Sequence, residues 1–266
     1  MNGRVLIVAG SDSGGGAGIQ ADIKTVTALG GFAMTAVTAL TAQNSLGVHG
    51  VVGVAPDFIR QQIEVVVGDL GVDAIKTGML HSGPVIETVA RAIRDVAPGV
   101  PLVVDPVMVA KGGAPLLESG AVDILRDTLL PMATIITPNL PEAGVLLDRD
   151  PPGRDGMADA AAALLALGPG AVLLKGGHLE SDDIVDLLAA GEAAAVRWTE
   201  TKIDTPHTHG TGCTLASAVA AGLAQGVALE AAVSRARDYV RGGILAAPGY
   251  GAGHGPLNHA HRIEPG

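Results

Sequence analysis

The sequence His-Gly-Thr-Gly-Cys-Thr at residues 209–214 is well suited to bind an anion. It places a flexible glycine turn directly before an apolar helix that the pattern predicts from about residue 215 to residue 225. The first amides of a helix have no intrahelical acceptor and lie at the positive end of the helix dipole. They are therefore expected to bind a phosphate or another oxyanion. The expected anion-binding and catalytic residues are Gly210, Thr211, Gly212 and Cys213.

Cys213 lies at the same point of the chain, and a thiol near a helix N-terminus is biased towards the thiolate. This bias makes Cys213 a candidate proton acceptor beside a bound phosphate. The alternative is that residues 209–214 only begin a helix and that the cysteine is a buried apolar side chain.

Asp105, Glu142 and Lys175 are of the types that bind phosphate and metal. Magnesium in phosphoryl transfer is usually held by one or two carboxylates together with substrate oxygens, and a lysine acts as a point charge on phosphates. We expect Asp105 and Glu142 to bind the metal and Lys175 to contact the phosphates. The alternative is that each is a solvated loop charge, with Asn139 merely capping the helix that contains Glu142.

Gln43 and Asp22 are candidates for binding an organic ligand. A glutamine amide offers a donor and an acceptor side by side, which match a ring nitrogen next to an exocyclic amine. Asp22 is expected in the first turn of a helix, where it either complements the dipole or orients a substrate hydroxyl. The glycine-rich residues 10–18 contain no dinucleotide or P-loop fingerprint, so they form either a ligand-facing turn or a tight strand-to-helix corner.

The composition limits the class of protein. With 266 residues, of which 48% are hydrophobic and 17% charged, the chain can bury a sizeable core. An aromatic content of 2% and a formal charge of -10 argue against nucleic acid as a partner. One cysteine cannot form an internal disulfide, so we expect a reduced, cytoplasmic setting. We expect no membrane association, since the apolar stretches are short or carry polar side chains.

Short β-branched runs alternate with helical segments along the whole chain, which predicts an α/β fold. We expect three layers, with a mostly parallel central sheet and helices on both faces, and a single domain over residues 1–266. Strands are predicted at 5–9, 34–40, 74–76, 102–104, 134–136 and 171–174, with a strand pair at 184–188 and 195–199. Helices are predicted at 19–29, 57–68, 83–96, 119–129, 141–147, 158–167, 215–225 and 229–245.

The candidate residues follow successive predicted strands. In an open parallel sheet, ligands bind outside the carboxyl ends of the strands. Residues 10–18, Gln43, Met79, Asp105 and Lys175 each come directly or soon after a different strand. The sequence therefore predicts one ligand site along this edge of the sheet.

The sequence resembles the bacterial hydroxymethylpyrimidine/phosphomethylpyrimidine kinase family of thiamine biosynthesis, and the motifs run in order across nearly the whole chain. They are AGSDSGGGAGIQAD at 9–22, TAQN at 41–44, GM at 78–79, DPVM at 105–108, TPNLPEA at 137–143, KGGH at 175–178, HGTGCT at 209–214 and GHGP at 253–256.

The resemblance implies a ribokinase-like fold, ATP and Mg²⁺, and a homodimer. It also implies that 4-amino-5-hydroxymethyl-2-methylpyrimidine is phosphorylated to its monophosphate and then to its diphosphate. By the same resemblance, Gln43 reads the aminopyrimidine edge. The residues implied around the ring and its hydroxymethyl group are Gly10, Ala17, Asp22, Met79 and Val107.

For the nucleotide, the resemblance implies that the amides of residues 210–213 form an anion hole. It places Asn139, Glu142 and Asp105 on the metal and phosphates, and Lys175 on the transferring phosphoryl group. Residues 105–117 resemble the family's mobile flap, with Lys111 as a phosphate contact.

Sugar kinases of this superfamily usually have an aspartate where Cys213 stands. Phosphoryl transfer tends to pass through a loose transition state that needs little early proton abstraction, so a thiolate can suffice.

Two alternatives stay open at this point. The first is a pyridoxal or pyridoxine kinase of the same superfamily. Its substrate presents a phenolic oxygen, whereas Gln43 pairs naturally with an aminopyrimidine. A non-catalytic pyrimidine sensor would keep Gln43 but could dispense with Glu142, Lys175 and the glycine turn.

Overall fold

A computed structural model describes residues 1–110, 112–118, 120–179, 181–191 and 193–263. These residues form one nine-stranded sheet in the order β3-β2-β1-β4-β5-β6-β7-β8-β9. The six central strands run parallel, while β3, β8 and β9 pair antiparallel at the two edges. The strands are β1 Arg4–Asp12, β2 Phe32–Asn44, β3 Gly47–Gly53, β4 Ala74–Thr77, β5 Leu102–Val104, β6 Ile135–Ile136, β7 Ala171–Lys175, β8 Asp183–Ala190 and β9 Val196–Thr201.

Helices cover both faces of the sheet and give the expected three layers. The helices are α1 Gly18–Ala28, α2 Pro56–Leu70, α3 Gly83–Val96, α4 Ala121–Ile124, α5 Leu140–Leu146, α6 Met157–Leu165, α7 Thr211–Ala224 and α8 Leu229–Leu245. Strand β1 shows the layering, because Leu6 and Val8 pack in one core with α2 to α6, whereas Val5 and Ile7 pack in the other with α1, α7 and α8. A strand buried on both faces is a continuous apolar run, as the sequence indicated.

The predicted elements are confirmed except at three places. The predicted helix 119–129 is only the short α4, followed by π-type turns at Leu125–Leu129 and a 3-10 turn at Leu130–Met132, and Ser119 lies outside the described residues. Strand β2 continues to Asn44, so Gln43 lies inside the strand rather than after it. Strand β3 was not predicted, because its three glycines and exposed side chains lack an apolar alternation.

No helix in the described part of the chain is long and apolar enough to cross a membrane. The glycine-rich segment near the C-terminus is packed rather than loose. The amide of His254 donates to the Ser45 carbonyl (2.8 Å), and the amide of His209 donates to the Gly255 carbonyl (3.1 Å). This segment therefore holds the β2–β3 hairpin beside the start of α7.

Candidate active site

Helix α7 begins at Thr211, four residues before the predicted start, so Gly212 and Cys213 lie in its first turn rather than in a loop before it. Gly210 is the N-cap in the left-handed region at φ 83°, and a Cβ there would collide with the carbonyl oxygen of Gly16. The amide of Thr211 donates to the Thr208 carbonyl (3.4 Å) and that of Thr214 to the Gly210 carbonyl (2.9 Å). The first-turn amides of Gly212 and Cys213 thus remain for a ligand, while the Thr211 amide is already engaged.

Lys175 and Asp105 lie directly beside these amides. Lys175 Nζ is 3.1 Å from Asp105 Oδ1, which also accepts a hydrogen bond from Thr137 Oγ1 (2.9 Å). A Cβ on Gly212 would lie 3.3 Å from Lys175 Nζ and 3.7 Å from Asp105 Oδ2. The structure therefore brings the predicted cation, the predicted carboxylate and the glycine turn together at the carboxyl edge of the sheet.

Asn139 and Glu142 form a capping box at the start of α5. Asn139 Oδ1 accepts from the Glu142 amide, and Glu142 Oε2 accepts from the Asn139 amide, both at 2.8 Å. Asn139 also pairs with Lys175 as an isolated parallel bridge, which brings this helix start to the same site. Asn139 is therefore a cap, as the alternative interpretation held, and it is also placed next to Lys175.

The charges of this cluster perturb one another. Burial raises the pKa of Glu142 to about 7, with Asp105 adding to the effect and Lys175 opposing it. Burial alone would lower the pKa of Lys175, but the carboxylates of Asp105 and Glu142 raise it. Lys175 is therefore a fixed positive charge at neutral pH.

These carboxylates suit Mg²⁺. In the described part of the chain, Asp105 Oδ2 and Glu142 Oε1 accept no hydrogen bond, so one oxygen of each carboxylate has no protein donor. The described residues contain no cluster of three or more His, Cys, Asp or Glu side chains arranged to hold a metal. Magnesium in phosphoryl transfer needs only one or two carboxylates besides phosphate oxygens, so the donor set fits.

The thiol of Cys213 does not have the lowered pKa that the sequence suggested. Burial raises the pKa of Cys213 to about 11, although Lys76 and the backbone amide of Gly18 act in the opposite direction. The expected bias towards the thiolate was therefore wrong, because desolvation outweighs the helix terminus. Cys213 is a protonated thiol at neutral pH.

Asp22 has a different setting from the one expected. It lies in the second turn of α1, has 0% exposure, and forms an ion pair from Oδ2 to Lys76 Nζ (2.8 Å). Its other oxygen accepts from Ser217 Oγ on α7 (2.7 Å). Burial raises the pKa of Asp22, while Lys76 and Ser217 lower it. Both oxygens thus bind protein groups, in place of the expected substrate hydroxyl.

Of the predicted ring-binding residues, Gly10 and Met79 lie against each other, and Val107 lies against Asp105. A Cβ on Gly10 would lie 3.0 Å from Met79 Sδ, and the Met79 carbonyl accepts from Thr38 Oγ1 (2.7 Å). Val107 lines a small cleft with Asp105, and its amide donates to the Asp105 carbonyl (2.8 Å).

Gln43 lines a second, shallow cleft, together with His209, His254 and two residues of the 105–117 loop, Ala110 and Gly112. Ala110 and Gly112 of the expected flap therefore lie near Gln43. Lys111, which belongs to the same loop, lies outside the described residues.

The glycine-rich loop after β1 is organised around a carboxylate. Asp12 accepts from the amides of Gly14 (2.8 Å), Gly16 (3.0 Å) and Ala17 (2.8 Å), and from His209 Nε2 (2.9 Å). These amides are consequently not free for a phosphate. Ala17 remains at the junction of this loop with α1.

The sequence analysis gave no role to five residues of the site: Asp12, Lys76, Thr137, His209 and Ser217. Asp12, Thr137 and His209 lie within the motifs quoted above, and Lys76 stands inside the wholly buried strand β4. A charged residue in the interior of such a strand must be paired.

A family model described as phosphomethylpyrimidine kinase matches residues 12–258. The chain belongs to the phosphomethylpyrimidine kinase family. A hydroxymethylpyrimidine/phosphomethylpyrimidine kinase of Streptomyces coelicolor is 50% identical over 96% of this chain and 93% of that protein. A thiamine biosynthesis bifunctional protein of Geobacter sulfurreducens is 51% identical over 98% of this chain, which spans 53% of that longer protein.

Two solved structures have a similar fold. A pyridoxal kinase from Staphylococcus aureus in complex with AMP-PCP and pyridoxal has a TM-score of 0.90 and 33% identity, covering 99% of this chain and 96% of that one. A phosphomethylpyrimidine kinase from Clostridium difficile has a TM-score of 0.78 and 39% identity, covering 90% of this chain and 97% of that one. The ribokinase-like fold expected from the sequence is thereby confirmed, and both activities occur on it.

Proposed function

We propose that the protein is an ATP-dependent kinase of thiamine biosynthesis. It phosphorylates 4-amino-5-hydroxymethyl-2-methylpyrimidine and then the resulting monophosphate to the diphosphate. The observation that carries this proposal is the meeting of Lys175, Asp105 and the free amides of Gly212 and Cys213 at one point. A cation, a carboxylate and unpaired helix amides together are the parts needed to hold a phosphoryl group during transfer.

The residues divide between the phosphates and the ring. Lys175 contacts the transferring phosphoryl group, and the amides of Gly212 and Cys213 neutralise the charge that develops on it. Asp105 and Glu142 would hold Mg²⁺, with Asn139 fixing the position of Glu142. When bound, the metal would neutralise phosphate charge. We assign Lys111 a phosphate contact, on the strength of the resemblance of its loop to the flap.

At the other end of the site, Gln43 reads the aminopyrimidine edge by one donated and one accepted hydrogen bond. Gly10, Ala17, Met79 and Val107 form the walls around the ring. Asp22 acts through Lys76, because its ion pair places a positive charge beneath Cys213. This is a positioning role in place of a direct substrate contact.

Cys213 can take a proton from the substrate hydroxyl only as its thiolate. Because burial raises the pKa of Cys213 to about 11, the thiol must first lose its own proton to solvent, and the thiolate is a minor form at neutral pH. In a loose transition state the proton leaves the attacking oxygen only as the new bond forms, and positioning does most of the work. A base is therefore relevant to the first step, whose nucleophile is a neutral alcohol. It is dispensable in the second, whose nucleophile is an anionic phosphate oxygen.

ATP consumption measured with three acceptors tests the proposal: the aminopyrimidine, its monophosphate and pyridoxal. We expect turnover with the first two, weak turnover with pyridoxal, and loss of all turnover in Lys175→Met. Pyridoxal kinase is the second candidate, because the Staphylococcus aureus structure bound to pyridoxal matches this fold with a TM-score of 0.90. Preference for pyridoxal by kcat/KM would select that candidate and contradict the assignment of Gln43.

We further propose that the protein is a cytoplasmic homodimer. Leu40 of β2 and Val52 of β3 are directly paired and are 53% and 66% exposed, and Phe58 of α2 is 56% exposed. Apolar side chains at an unpaired sheet edge favour burial against a second copy. A reducing compartment keeps the single thiol of Cys213 in its working form. Sedimentation should give twice the chain mass, and Val52→Lys should shift it towards monomer.

A further inference from the structure

His209 connects the glycine-rich loop after β1 with the side chain of Gln43. Its Nε2 atom lies 2.9 Å from Asp12 Oδ2 and 3.4 Å from the side-chain amide of Gln43. The other end of that amide lies 3.3 Å from Thr41 Oγ1, which itself donates to the Ser11 carbonyl (2.9 Å). Gln43 is thus held between a histidine and a threonine.

The proton positions in this chain follow from Asp12. Burial alone would raise the pKa of Asp12, but the hydrogen bonds from His209, Ala17 and Gly14 hold it below its ordinary value. A carboxylate only accepts hydrogen bonds, so the Nε2 atom of His209 must carry a proton in either charge state of the ring. Thr41 has one hydroxyl proton, which goes to the nearer acceptor, Ser11 O.

These assignments decide the orientation of the Gln43 amide. With its Nε2 towards His209, the Gln43 amide would oppose two N–H donors, and its carbonyl oxygen would meet a lone pair of Thr41. A half-turn about the terminal bond puts Oε1 towards His209, where it shares the single Nε2 proton with the nearer Asp12 Oδ2, and puts an N–H on Thr41 Oγ1. The Gln43 amide then has one N–H and one oxygen lone pair left for a ligand, and their relative positions are fixed.

The imidazole is also fixed in place. A Cβ on Gly16 would lie 2.5 Å from His209 Cδ2 and 3.1 Å from Pro256 Cβ, so the ring packs directly on the glycine loop. The backbone of Gly16 is not in the left-handed region. A glycine is needed here because the imidazole packs where a Cβ would lie, and not because of a backbone turn.

We propose that Asp12 and His209 fix the amide of Gln43 in one orientation and thereby determine which ring edge the site accepts. The accepted edge has an amine donor beside a ring-nitrogen acceptor. The rejected edge is a lactam, with a ring N–H beside a carbonyl oxygen, which requires the opposite amide order. The inference rests on the proposed contact between Gln43 and the pyrimidine, and it makes His209 a positioning and specificity-determining residue.

The test compares kcat/KM for two substrates, the 4-amino-5-hydroxymethyl-2-methylpyrimidine and its 4-oxo analogue. The ratio of the two values is the readout, because general damage to catalysis lowers both. In His209→Leu the amide can turn, so we expect the amino-to-oxo ratio to fall by about tenfold, the equivalent of one hydrogen bond. His209→Gln is the matched control, since its side-chain N–H can still donate to Asp12 and we expect it to keep the ratio.

Gly16→Ala supplies an independent variant that leaves the imidazole in the sequence but displaces it. We expect the same fall in the ratio, with thermal melting showing that the variant is folded. An unchanged ratio in folded His209→Leu and Gly16→Ala would overturn the inference. If Gln43→Leu also leaves the ratio unchanged, the proposed role of Gln43 fails as well; a ratio lost in Gln43→Leu alone refutes only the role of His209.

Discussion

The ion pair between Asp22 and Lys76 allows a quantitative prediction for Lys76→Met. Both side chains have 0% exposure, and the two charges are 2.8 Å apart. At an effective dielectric constant of 20, their attraction is about 6 kcal/mol. Desolvation costs several kcal/mol for each ion, so the intact pair contributes little net stability. Removing only one partner is strongly destabilising, because the other charge stays buried without compensation.

In Lys76→Met, Asp22 keeps only the hydrogen bond from Ser217. We expect the free energy of unfolding to fall by about 3–5 kcal/mol at neutral pH, the usual cost of an uncompensated buried charge. The double variant Lys76→Met/Asp22→Leu should recover to within about 1 kcal/mol of the wild type, since an apolar pair of similar volume replaces the ion pair. The Ser217 hydroxyl can then donate to the carbonyl one turn earlier in α7.

The pH dependence provides a second readout. Burial already raises the pKa of Asp22, and loss of Lys76 raises it further. A carboxyl group with a raised pKa in the folded state adds stability below its unfolded pKa and loses it as the pH rises. The destabilisation of Lys76→Met relative to the wild type should therefore be small near pH 4. It should grow by up to about 1.4 kcal/mol per pH unit above that, until the folded-state pKa is passed.

Urea unfolding followed by circular dichroism at several pH values measures both effects, and the wild type cancels the contributions of all other groups. A loss below about 1 kcal/mol at pH 8 in Lys76→Met would refute the reasoning, as would a double variant no more stable than the single one. Either result would mean that solvent reaches Asp22 and that the pair is not desolvated.

Three further predictions concern the phosphate end of the site. Cys213→Ala should slow the first phosphorylation by about 10²–10⁴-fold and the second by far less, measured in single turnovers; equal losses would leave the cysteine as packing for the anion hole. Burial raises the pKa of Cys213, the only cysteine, to about 11, so the rate of its alkylation by iodoacetamide should be low at pH 7. The rate should rise about tenfold per pH unit towards pH 11, and a plateau near pH 8 would contradict this expectation. Gly210→Ala should lower kcat/KM by about 10²–10³-fold, because the strained alanine and its collision with Gly16 displace the first amides of α7. The control is Gly153→Ala, which should keep kcat/KM because Gly153 is exposed and has no neighbour near its Cβ position.

Most of the fold could be predicted because its central strands are buried on both faces. Such strands are unbroken apolar runs, and the helices between them carry start signals such as Pro56 and Pro141. The exception, β3, is held by its pairing with β2 rather than by burial, since it has glycines at 47, 50 and 53. The composition of β3 alone does not indicate which strand it pairs with.

Part of the site could also be predicted from the sequence. The rule that ligands gather at the carboxyl ends of parallel strands correctly brought Asp105 and Lys175 together, because it depends on topology alone. The capping box of Asn139 and Glu142 is visible as a local motif. The structural partners of Asp12 and Asp22 were not visible, since each involves a residue more than fifty positions away.

The electrostatic errors have a common physical origin. A helix terminus is a local feature, and its effect on a thiol can be inferred from a few adjacent residues. Desolvation depends instead on everything that packs around the group from distant parts of the chain. At Cys213 the second effect is larger than the first, so the inferred sign of the pKa shift was reversed. The glycine loop is a different case, because its amides are bound by Asp12, which lies only two to five residues away. Motifs thus identify where chemistry occurs in this protein, whereas burial determines the charge state in which each group begins it.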